Sequence, residues 1–366
     1  MASPKTVADL ARSFLTGRSA DEVLSLRLGD LGVTVRTNSP ELKAKLADYF
    51  RDFLDVAGGA PAETTIIALE MEPPKLDLPL AEKVPEPGKS KVKEEFADLP
   101  DGRIVRKRLT GMVFCFGGEL HLALGPCLAN HNQVVNFVNN RYIEHLVKRG
   151  ALLFHAAGVA VGGSGLALAG FSGMGKSTLA LHVMQLGADF VSNDRLMVER
   201  AGGRLTMHGV AKMPRVNPGT VLHNPSLAPV IPDEEREGFE ELSPDELWTL
   251  EHKYDAFIDE CFGPGRFRLV SPMAGLVLLN WRRDAGPLVA RRVNLAQRPD
   301  LLPAFMKSVG LFFEMDARMA GRDFSEAAYL NLLDGCPVLE LSGGVDFEAA
   351  ARACLEFLAA SGRGAA

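Results

Sequence analysis

The residues best suited to chemistry form one glycine-rich run, 170–177, which reads Gly-Phe-Ser-Gly-Met-Gly-Lys-Ser. This run, here called the phosphate loop, fits the G-x-x-x-x-G-K-[ST] pattern of loops that cradle nucleotide phosphates. Its glycines allow backbone N–H groups to curl around a phosphate, Lys176 can reach the β- and γ-phosphates, and Ser177 can hold Mg²⁺. We therefore expect ATP and Mg²⁺ here, although an ordinary glycine turn can match the same pattern. The residues expected at the nucleotide are Gly170, Ser172, Gly173, Met174, Gly175, Lys176, Ser177 and Thr178.

The segments that flank the phosphate loop fit the same interpretation. Residues 165–169 form a short apolar run that predicts a buried strand, and residues 178–186 have the spacing of an amphipathic helix. Gly187 suits the C-terminal cap of that helix. A strand, a glycine loop and a helix in this order direct the positive end of the helix at a bound phosphate.

A carboxylate follows the next predicted strand, 188–191, within the run Ser-Asn-Asp-Arg. Strand ends at this edge of an α/β sheet face the bound phosphates, so Asp194 is placed to bind Mg²⁺ or to accept a proton from an attacking hydroxyl. Asn193 can offer a carbonyl oxygen to a metal or a water. Asn-Asp pairs also favour turns, so a purely structural role is the alternative for both residues.

His155 lies within the apolar stretch 151–161, which we expect to neighbour the strand before the phosphate loop. That position would bring its imidazole close to the phosphates, where we assign it with Asp194 and Lys176 to catalysis. A lone histidine in such a stretch is also commonly a satisfied core residue.

Two cations that follow a later strand are candidates for substrate binding. Lys212 and Arg215 precede an Asn-Pro-Gly turn signal and could clamp a phosphate or an acidic acceptor. As single cations they could equally be solvated. Arg195 could pair locally with Asp194 or Asp189, and His208 reads as a surface residue of a hairpin.

Composition excludes several classes of protein. The chain has 366 residues, 47% of them hydrophobic, so it can form a large core. A net charge of −6 argues against nucleic-acid binding, and five scattered cysteines without a C-x-x-C pair support neither a zinc site nor a disulfide framework. The N-terminal residues lack the apolar core of a secretory signal, and no apolar run is long enough to cross a membrane, so we expect a cytoplasmic protein.

The pattern along the chain predicts an α/β protein in two parts. Residues 1–148 read as an α+β segment with a charged loop near 72–100, and residues 149–366 as the domain of the phosphate loop, with an acidic loop or helical insertion near 225–251. Helices are predicted over 6–15, 40–54, 130–149, 178–186, 303–313, 324–333 and 347–358. Strands are predicted within 23–36, 65–71, 104–116, 119–124, 151–161, 165–169, 188–191, 196–200, 205–210, 267–270, 276–281 and 338–341.

Three runs resemble HPr kinase/phosphorylase, and among its relatives the HPr-kinase-related kinase B group. They are 168–181 around the phosphate loop, 187–196 around Asp194, and 155–161, which looks like the family's histidine-containing strand. The resemblance covers roughly residues 150–215, with a looser similarity over 329–358. The first 145 residues do not resemble the N-terminal domain of the bifunctional enzyme.

The resemblance implies a P-loop kinase domain similar to the phosphoenolpyruvate-carboxykinase-like fold. Lys176 and Ser177 match the family's phosphate and metal residues, and His155 matches its histidine near the transferred phosphate. Of two adjacent aspartates in the family, Asn193 stands at the first and Asp194 at the second, which is implicated in proton transfer. The family's Glu-Ile-Arg-Gly-Leu-Gly signature, tied to dephosphorylation, has no counterpart here, which argues against phosphorylase activity and against HPr as substrate.

Three functional hypotheses follow for the whole chain. The first is a Mg²⁺/ATP-dependent kinase that phosphorylates a hydroxyl, with Ser on a partner protein closest to the family. The second is a kinase for a small molecule, and the third is a nucleotide-sensing protein without transfer. The resemblance also implies an ATP-grasp enzyme and an amphi-Trp protein as partners, and a homo-oligomeric state.

Overall fold

The structure is a computed structural model that describes residues 6–55, 63–85, 90–313 and 322–362. Two compact units are present in it. The first comprises residues 1–148 together with 309–322, and the second comprises residues 149–308 together with 323–366. The first unit therefore includes a segment from late in the chain.

The first unit combines three helices with an eight-stranded sheet among its described residues. In chain order its elements are α1 (Val7–Leu15), β1 (Glu22–Leu28), β2 (Leu31–Thr37), α2 (Pro40–Tyr49), β3 (Thr64–Glu70), β4 (Ala81–Glu82), β5 (Glu94–Leu99), β6 (Gly102–Lys107), β7 (Val113–Gly117), β8 (Leu120–Gly125) and α3 (His131–Arg149). The strand order is β1-β2-β3-β8-β7-β6-β5-β4. Apolar side chains of α1 pack on the buried residues of β3, β6, β7 and β8.

The predicted charged loop near 72–100 contains two strands in its described part, which excludes residues 86–89. β5 pairs antiparallel with both β4 and β6. Glu94 forms ion pairs with Lys83, at 2.9 Å, and with Lys107 on β6. These cross-strand pairs offset the charges that made the segment look like a loop.

The second unit holds the phosphate loop and a mixed sheet. In chain order its elements are β9 (Leu152–Phe154), β10 (Ala156–Val161), β11 (Ser164–Gly170), α4 (Lys176–Gln185), β12 (Asp189–Ser192), β13 (Leu196–Ala201), β14 (Arg204–His208), β15 (Arg215–Val216), α5 (Pro218–Leu222), α6 (Asp233–Glu240), α7 (Pro244–Thr249), β16 (Tyr254–Asp255), α8 (Ile258–Phe262), β17 (Val270–Leu279), β18 (Leu288–Arg292), α9 (Glu326–Leu332), β19 (Val338–Gly343) and α10 (Phe347–Gly362).

This sheet has nine described strands and is a mixed α/β arrangement. Its main path is β12-β10-β11-β17-β14-β13-β9, with β19 beside β17 and β18 beside β19. β11 runs parallel to β17, and β17 runs parallel to β19. One apolar core joins α4 and α10 to β10, β11, β17 and β19, so the helix that follows the phosphate loop is fixed by its packing on the sheet.

The predicted strand 151–161 is in fact two strands, because the chain breaks at His155. Phe154 of β9 pairs with Leu196 of β13, whereas Gly158 of β10 pairs with Ser192 of β12. Residues 155–157 therefore lie between the two paired positions on the β9–β10 side, and residues 193–195 lie between them on the β12–β13 side. The break places His155 against the turn that carries Asp194.

The segment 225–251 contains the helices α6 and α7, which agrees with the helical alternative expected there, and Ser243 and Glu246 form a capping box that starts α7. Three further predictions need correction. The helix predicted over 303–313 is absent: a 3-10 turn at Pro299–Ala304 precedes non-helical chain. The strand predicted over 276–281 belongs to the longer β17, which already begins at Val270. Of the strand predicted over 267–270, only Val270 lies in β17, and Phe267 forms an isolated β-bridge with Phe190.

The third correction concerns His208, which is buried instead of lying on the surface. Its Nε2 lies 3.0 Å from Oε1 of Glu199, its neighbour on the same hairpin, and Arg149 donates to the same carboxylate oxygen at 3.1 Å. The Glu199 carboxylate gives the buried His208 imidazole a polar partner. The alternation of apolar and polar residues along the strand did not indicate that His208 is buried.

Candidate active site

The phosphate loop has the backbone shape that its glycines predict. β11 ends at Gly170 and α4 begins at Lys176, so the predicted order of strand, loop and helix is confirmed. Gly173 and Gly175 have φ of 82° and 81°. A side chain at Gly175 would be strained by the positive φ. Its Cβ would also lie 2.6 Å from the Phe347 ring.

A tryptophan that the sequence analysis did not single out contacts the backbone of the phosphate loop. The buried Trp281, which follows β17, donates from Nε1 to the carbonyl oxygen of Met174 at 3.0 Å. Trp281 packs edge-on against Phe347 at the start of α10. The loop is therefore fixed by contacts with two distant elements as well as by its own glycines.

Lys176 lies within the curve of the loop and is only 8% exposed. Its Nζ donates to the carbonyl oxygens of Gly170, at 2.9 Å, and Phe171, at 3.2 Å. Burial lowers the pKa of Lys176 to about 8, while the Asp194 carboxylate opposes this shift and the Lys307 ammonium adds to it. A bound phosphate would supply the negative charge that favours the ammonium form.

Ser177 and Asn193 are brought into direct contact, since the Ser177 hydroxyl donates to Oδ1 of Asn193. Both offer neutral oxygen atoms, which suit the hard cation Mg²⁺. Among the residues that the structure describes, no cluster of three or more His, Cys, Asp or Glu side chains could hold a metal. A magnesium ion here would therefore depend largely on phosphate oxygens and water, as Mg²⁺ bound with a nucleotide does.

Asp194 stands between two cationic or polar partners. Its Oδ1 lies 3.0 Å from Nε2 of His155, and its Oδ2 lies 2.7 Å from Nζ of Lys307. Burial opposes ionisation, yet hydrogen bonds from His155 and Lys307 outweigh it and hold the pKa of Asp194 far below its usual value. The carboxylate is therefore negatively charged throughout the physiological pH range, and it remains half exposed toward the cleft.

Lys307 is the main site residue that sequence reasoning missed. It follows the 3-10 turn, where the Phe305 carbonyl oxygen accepts a bond from the His155 N–H at 2.7 Å. Met306 forms an isolated β-bridge with Phe154. The chain here runs along the edge of β9, and this pairing takes the place of the helix predicted for the segment. A single lysine in that stretch carries no sequence signal for a site.

Ser192 fixes the turn that presents Asn193 and Asp194. It is fully buried, its hydroxyl donates to the Arg195 carbonyl oxygen, and the N–H of Val210 donates back to that hydroxyl at 3.3 Å. One side chain thus links the turn to the segment that leads to Lys212.

Asp189, at the far end of the same strand, has partners of its own. Arg266 and Arg268 contact its carboxylate at 2.7 and 2.6 Å, so the local pairing of Arg195 with Asp189 considered from sequence is not the arrangement found.

Most of the predicted site residues line one cleft of about 380 Å³ in the second unit. The lining residues are His155, Ser172, Gly173, Gly175, Lys176, Ser177, Thr178, Asn193, Asp194, Arg195, Val210, Lys212, Arg215, Val216, Asn217, Thr220 and Lys253. The predicted residues Gly170 and Met174 are outside this lining. Their carbonyl oxygens instead hold Lys176 and Trp281, so these two residues shape the loop.

No family model and no curated protein matches the chain. One solved structure found in the comparison is the HPr(Ser) kinase/phosphatase from Coxiella burnetii, which covers 58% of this chain and 90% of its own, at 12% identity and a TM-score of 0.29. That similarity is weak. In the described part of the chain, no helix combines the length and apolar character needed to cross a membrane.

Proposed function

We propose that this protein is a Mg²⁺/ATP-dependent kinase that transfers the γ-phosphoryl group to an acceptor hydroxyl, carried by a P-loop domain similar to the phosphoenolpyruvate-carboxykinase-like fold. The observation that carries the proposal is the shared cleft. The phosphate loop with Lys176 and the Asp194–His155 pair line the same cavity, although 16 residues separate the loop from Asp194 in the chain.

In this proposal, one set of residues binds the nucleotide phosphates and Mg²⁺. The first turn of α4 and Lys176 supply positive potential and donors for the nucleotide phosphates. Ser177 and Asn193 supply oxygen atoms for Mg²⁺, which when bound neutralises charge on the phosphates. The carbonyl oxygens of Gly170 and Phe171 keep the Lys176 ammonium aimed within the loop.

Asp194 acts in this proposal by orienting the acceptor hydroxyl. A carboxylate with a strongly lowered pKa is a weak base, and general bases work best when their pKa lies near the working pH. Phosphoryl transfer proceeds through a loose transition state, so positioning and electrostatic stabilisation contribute most of its catalysis. His155 and Lys307 hold Asp194 in one orientation, and we expect that carboxylate to accept a hydrogen bond from the attacking hydroxyl.

The acceptor that the family resemblance favours is a Ser on a partner protein, and a small-molecule hydroxyl is the alternative. Incubation with γ-labelled ATP, Mg²⁺ and cell extract, followed by separation by size, distinguishes them. Label on protein supports the first, and label on small metabolites supports the second. Lys176→Ala is the control that must lose either signal. If label reaches neither fraction above that control, the kinase proposal is wrong.

A nucleotide sensor is a second candidate because of one observation, the amide of Asn193 in contact with Ser177. A neutral side chain there binds Mg²⁺ less tightly than a carboxylate would, which can leave binding without turnover. Tight ATP binding with no consumption in buffer or extract would favour this function. Asn193→Asp should then raise Mg²⁺ affinity, a change that titration of Mg²⁺ against the nucleotide complex would show.

Lys307→Met is expected to lower kcat by roughly tenfold with little change in nucleotide affinity. Methionine retains most of the apolar stem, but it removes the ammonium that lies 2.7 Å from Asp194, and hydrogen bonds to charged groups contribute about 1.5–3 kcal/mol. Steady-state kinetics and a nucleotide titration measure the two quantities separately. Lys307→Arg should restore most of kcat. Equal losses in Lys307→Met and Lys307→Arg, or a change confined to nucleotide affinity, would contradict a positioning role.

A further inference from the structure

Within the proposed function, we propose that Lys212, Arg215 and Lys253 form a second anion-binding subsite, which holds a carboxylate or phosphate group of the acceptor molecule. These three cations line the cleft but belong to segments other than the phosphate loop. The proposal assigns the acceptor to one chemical class: a hydroxyl compound or segment that carries a negative charge near the hydroxyl.

The chain fixes the position of Lys212 by a close backbone approach. A Cβ at Gly209 would lie 1.7 Å from the Val191 carbonyl oxygen, so glycine allows this segment to lie directly against β12. The Gly209 N–H donates to the Leu269 carbonyl oxygen at 2.7 Å. Lys212 follows three residues later and therefore lies beside the turn that carries Asp194.

Arg215 and Lys253 are brought together by a short two-stranded sheet. β15 pairs with β16, which places Arg215 opposite Asp255, and the Ala256 N–H donates to the Pro214 carbonyl oxygen at 2.9 Å. The Arg215 guanidinium lies 3.5 Å from the Lys253 carbonyl oxygen and 3.6 Å from the Asp255 carboxylate. The second contact is longer than a hydrogen bond, and as an exposed ion pair it contributes little to stability.

This sheet is also linked to the helix that follows the phosphate loop. The hydroxyls of Thr178 on α4 and Thr220 on α5 lie 3.0 Å apart, and both residues line the cleft. Since α5 directly follows β15, the second group of cations has a defined position relative to the loop.

Charge in the cleft is strongly unbalanced. Its described lining includes five Lys or Arg residues and one carboxylate, Asp194, which already contacts His155 and Lys307. The phosphate loop provides its own cation and helix N-terminus for the nucleotide. The cations on the other segments therefore exceed what that loop needs, although the protein as a whole has a net charge of −6.

Lys212 itself shows the effect of this crowding. Burial lowers its pKa to about 8, and Arg195 and Arg215 act in the same direction. The Asp194 and Asp255 carboxylates oppose the shift without cancelling it. A partly buried ammonium among like charges is unfavourable for the protein alone and becomes favourable when an anion binds, which is common at functional sites.

The test uses inorganic sulfate, a dianion across the working pH range, titrated calorimetrically into protein saturated with Mg²⁺ and a non-hydrolysable ATP analogue. We expect one sulfate to bind, with an affinity that falls about tenfold or more in Lys212→Gln and in Arg215→Gln, since hydrogen bonds to charged groups contribute about 1.5–3 kcal/mol. Arg268→Gln removes an exposed cation outside the cleft and should bind sulfate as the wild type does. Absence of sulfate binding, or equal affinity in all variants, would overturn the proposal.

The same titration separates this inference from the proposed function. Lys176→Ala should bind the nucleotide analogue much more weakly but should still bind sulfate in a Lys212-dependent manner. If the wild type binds no nucleotide yet binds sulfate through Lys212, the kinase proposal fails and the subsite remains. If nucleotide binds and excludes sulfate, the cations serve the nucleotide and the subsite is wrong.

Competition against sulfate identifies the source of the anion. The charged probes are glycerol 3-phosphate and a Ser peptide flanked by Asp; their controls are glycerol and the same peptide flanked by Ala. Competition by the first charged probe indicates a phosphorylated small molecule, and competition by the second indicates an acidic protein segment. If neither competes better than its control, the subsite does not hold an acceptor anion.

Sulfate affinity should also depend on pH. The Lys212 ammonium is charged below its pKa of about 8, so affinity should be highest near pH 7 and should fall by up to about tenfold per unit above pH 8. Arg195, Arg215, Asp194 and Asp255 are the charged groups that face Lys212. Lys176 also has a pKa of about 8, so the series is repeated in Lys176→Arg. Lys212→Arg should remove the remaining pH dependence; an unchanged profile in that variant would contradict the assignment.

Discussion

Replacing Asp194 with Asn is expected to reduce phosphoryl transfer by at least about 10²-fold while nucleotide affinity stays the same or rises slightly. Misplacing a reacting group by about 1 Å can lower a rate by about 10²-fold, and the amide removes the negative oxygen that would orient the acceptor hydroxyl. Nucleotide affinity should not fall, because Asp194 is a negative charge in the cleft that receives the phosphates. Label transfer and a nucleotide titration measure the two effects.

Asp189→Asn is the matched control for this prediction. Asp189 is also an ion-paired carboxylate, at the other end of β12, but it does not line the cleft. We expect this control to lose some stability through its broken contacts with Arg266 and Arg268 and to keep its turnover. Full turnover in Asp194→Asn would remove Asp194 from the mechanism. Equal loss in both variants would point to an effect on the fold.

The second large effect is expected for Lys176→Ala, which should weaken ATP binding by roughly 10- to 100-fold and lower turnover by about 10²–10³-fold. Hydrogen bonds between charged groups contribute about 1.5–3 kcal/mol to binding, and removal of one donor to transition-state charge typically has an effect of this size on the rate. The chain has two tryptophans, and Trp281 bonds to the phosphate loop, so intrinsic fluorescence follows nucleotide binding. Trp248→Phe leaves Trp281 as the only tryptophan and confirms the source of the signal.

Lys176→Ala should nevertheless remain folded, with a melting temperature within a few degrees of the wild type. The substitution removes two hydrogen bonds to the loop carbonyls, but it also removes a buried ammonium whose pKa is lowered to about 8. A Lys with a lowered pKa destabilises the folded state when it is charged, so the two effects oppose each other near pH 7. A large loss of stability would mean that the weaker binding reports unfolding instead of a lost phosphate contact.

Short-range sequence patterns were sufficient to predict the phosphate loop and its two flanking elements. An apolar run, glycines at the turning points and a helical spacing all occur within about 20 residues, and each is a short-range property of the chain. The structure accordingly has β11 at Ser164–Gly170 and α4 at Lys176–Gln185, close to the predicted bounds. The closing helix, predicted over 347–358, is found as α10 for the same reason.

Prediction failed where contacts between distant segments override local pattern. The charged stretch at Glu94–Leu99 is a strand because Lys83 and Lys107 offset Glu94 across the sheet. Residues 303–313 are not a helix because the backbone there bonds to Phe154 and His155. In both cases the deciding partner lies outside the window that a pattern can cover.

The sequence alone determined three features of this protein: the phosphate-loop motif, a nearby carboxylate at Asp194 and a histidine in the preceding apolar stretch. Only the tertiary structure decided how these groups meet: the break shared by β9–β10 and β12–β13 sets His155 against Asp194. It also brought Lys307 to Asp194 across 113 residues and Trp281 to Met174 across 107. Such contacts depend on how strands pair and turns pack, and two single side chains so far apart leave no periodic trace in the sequence.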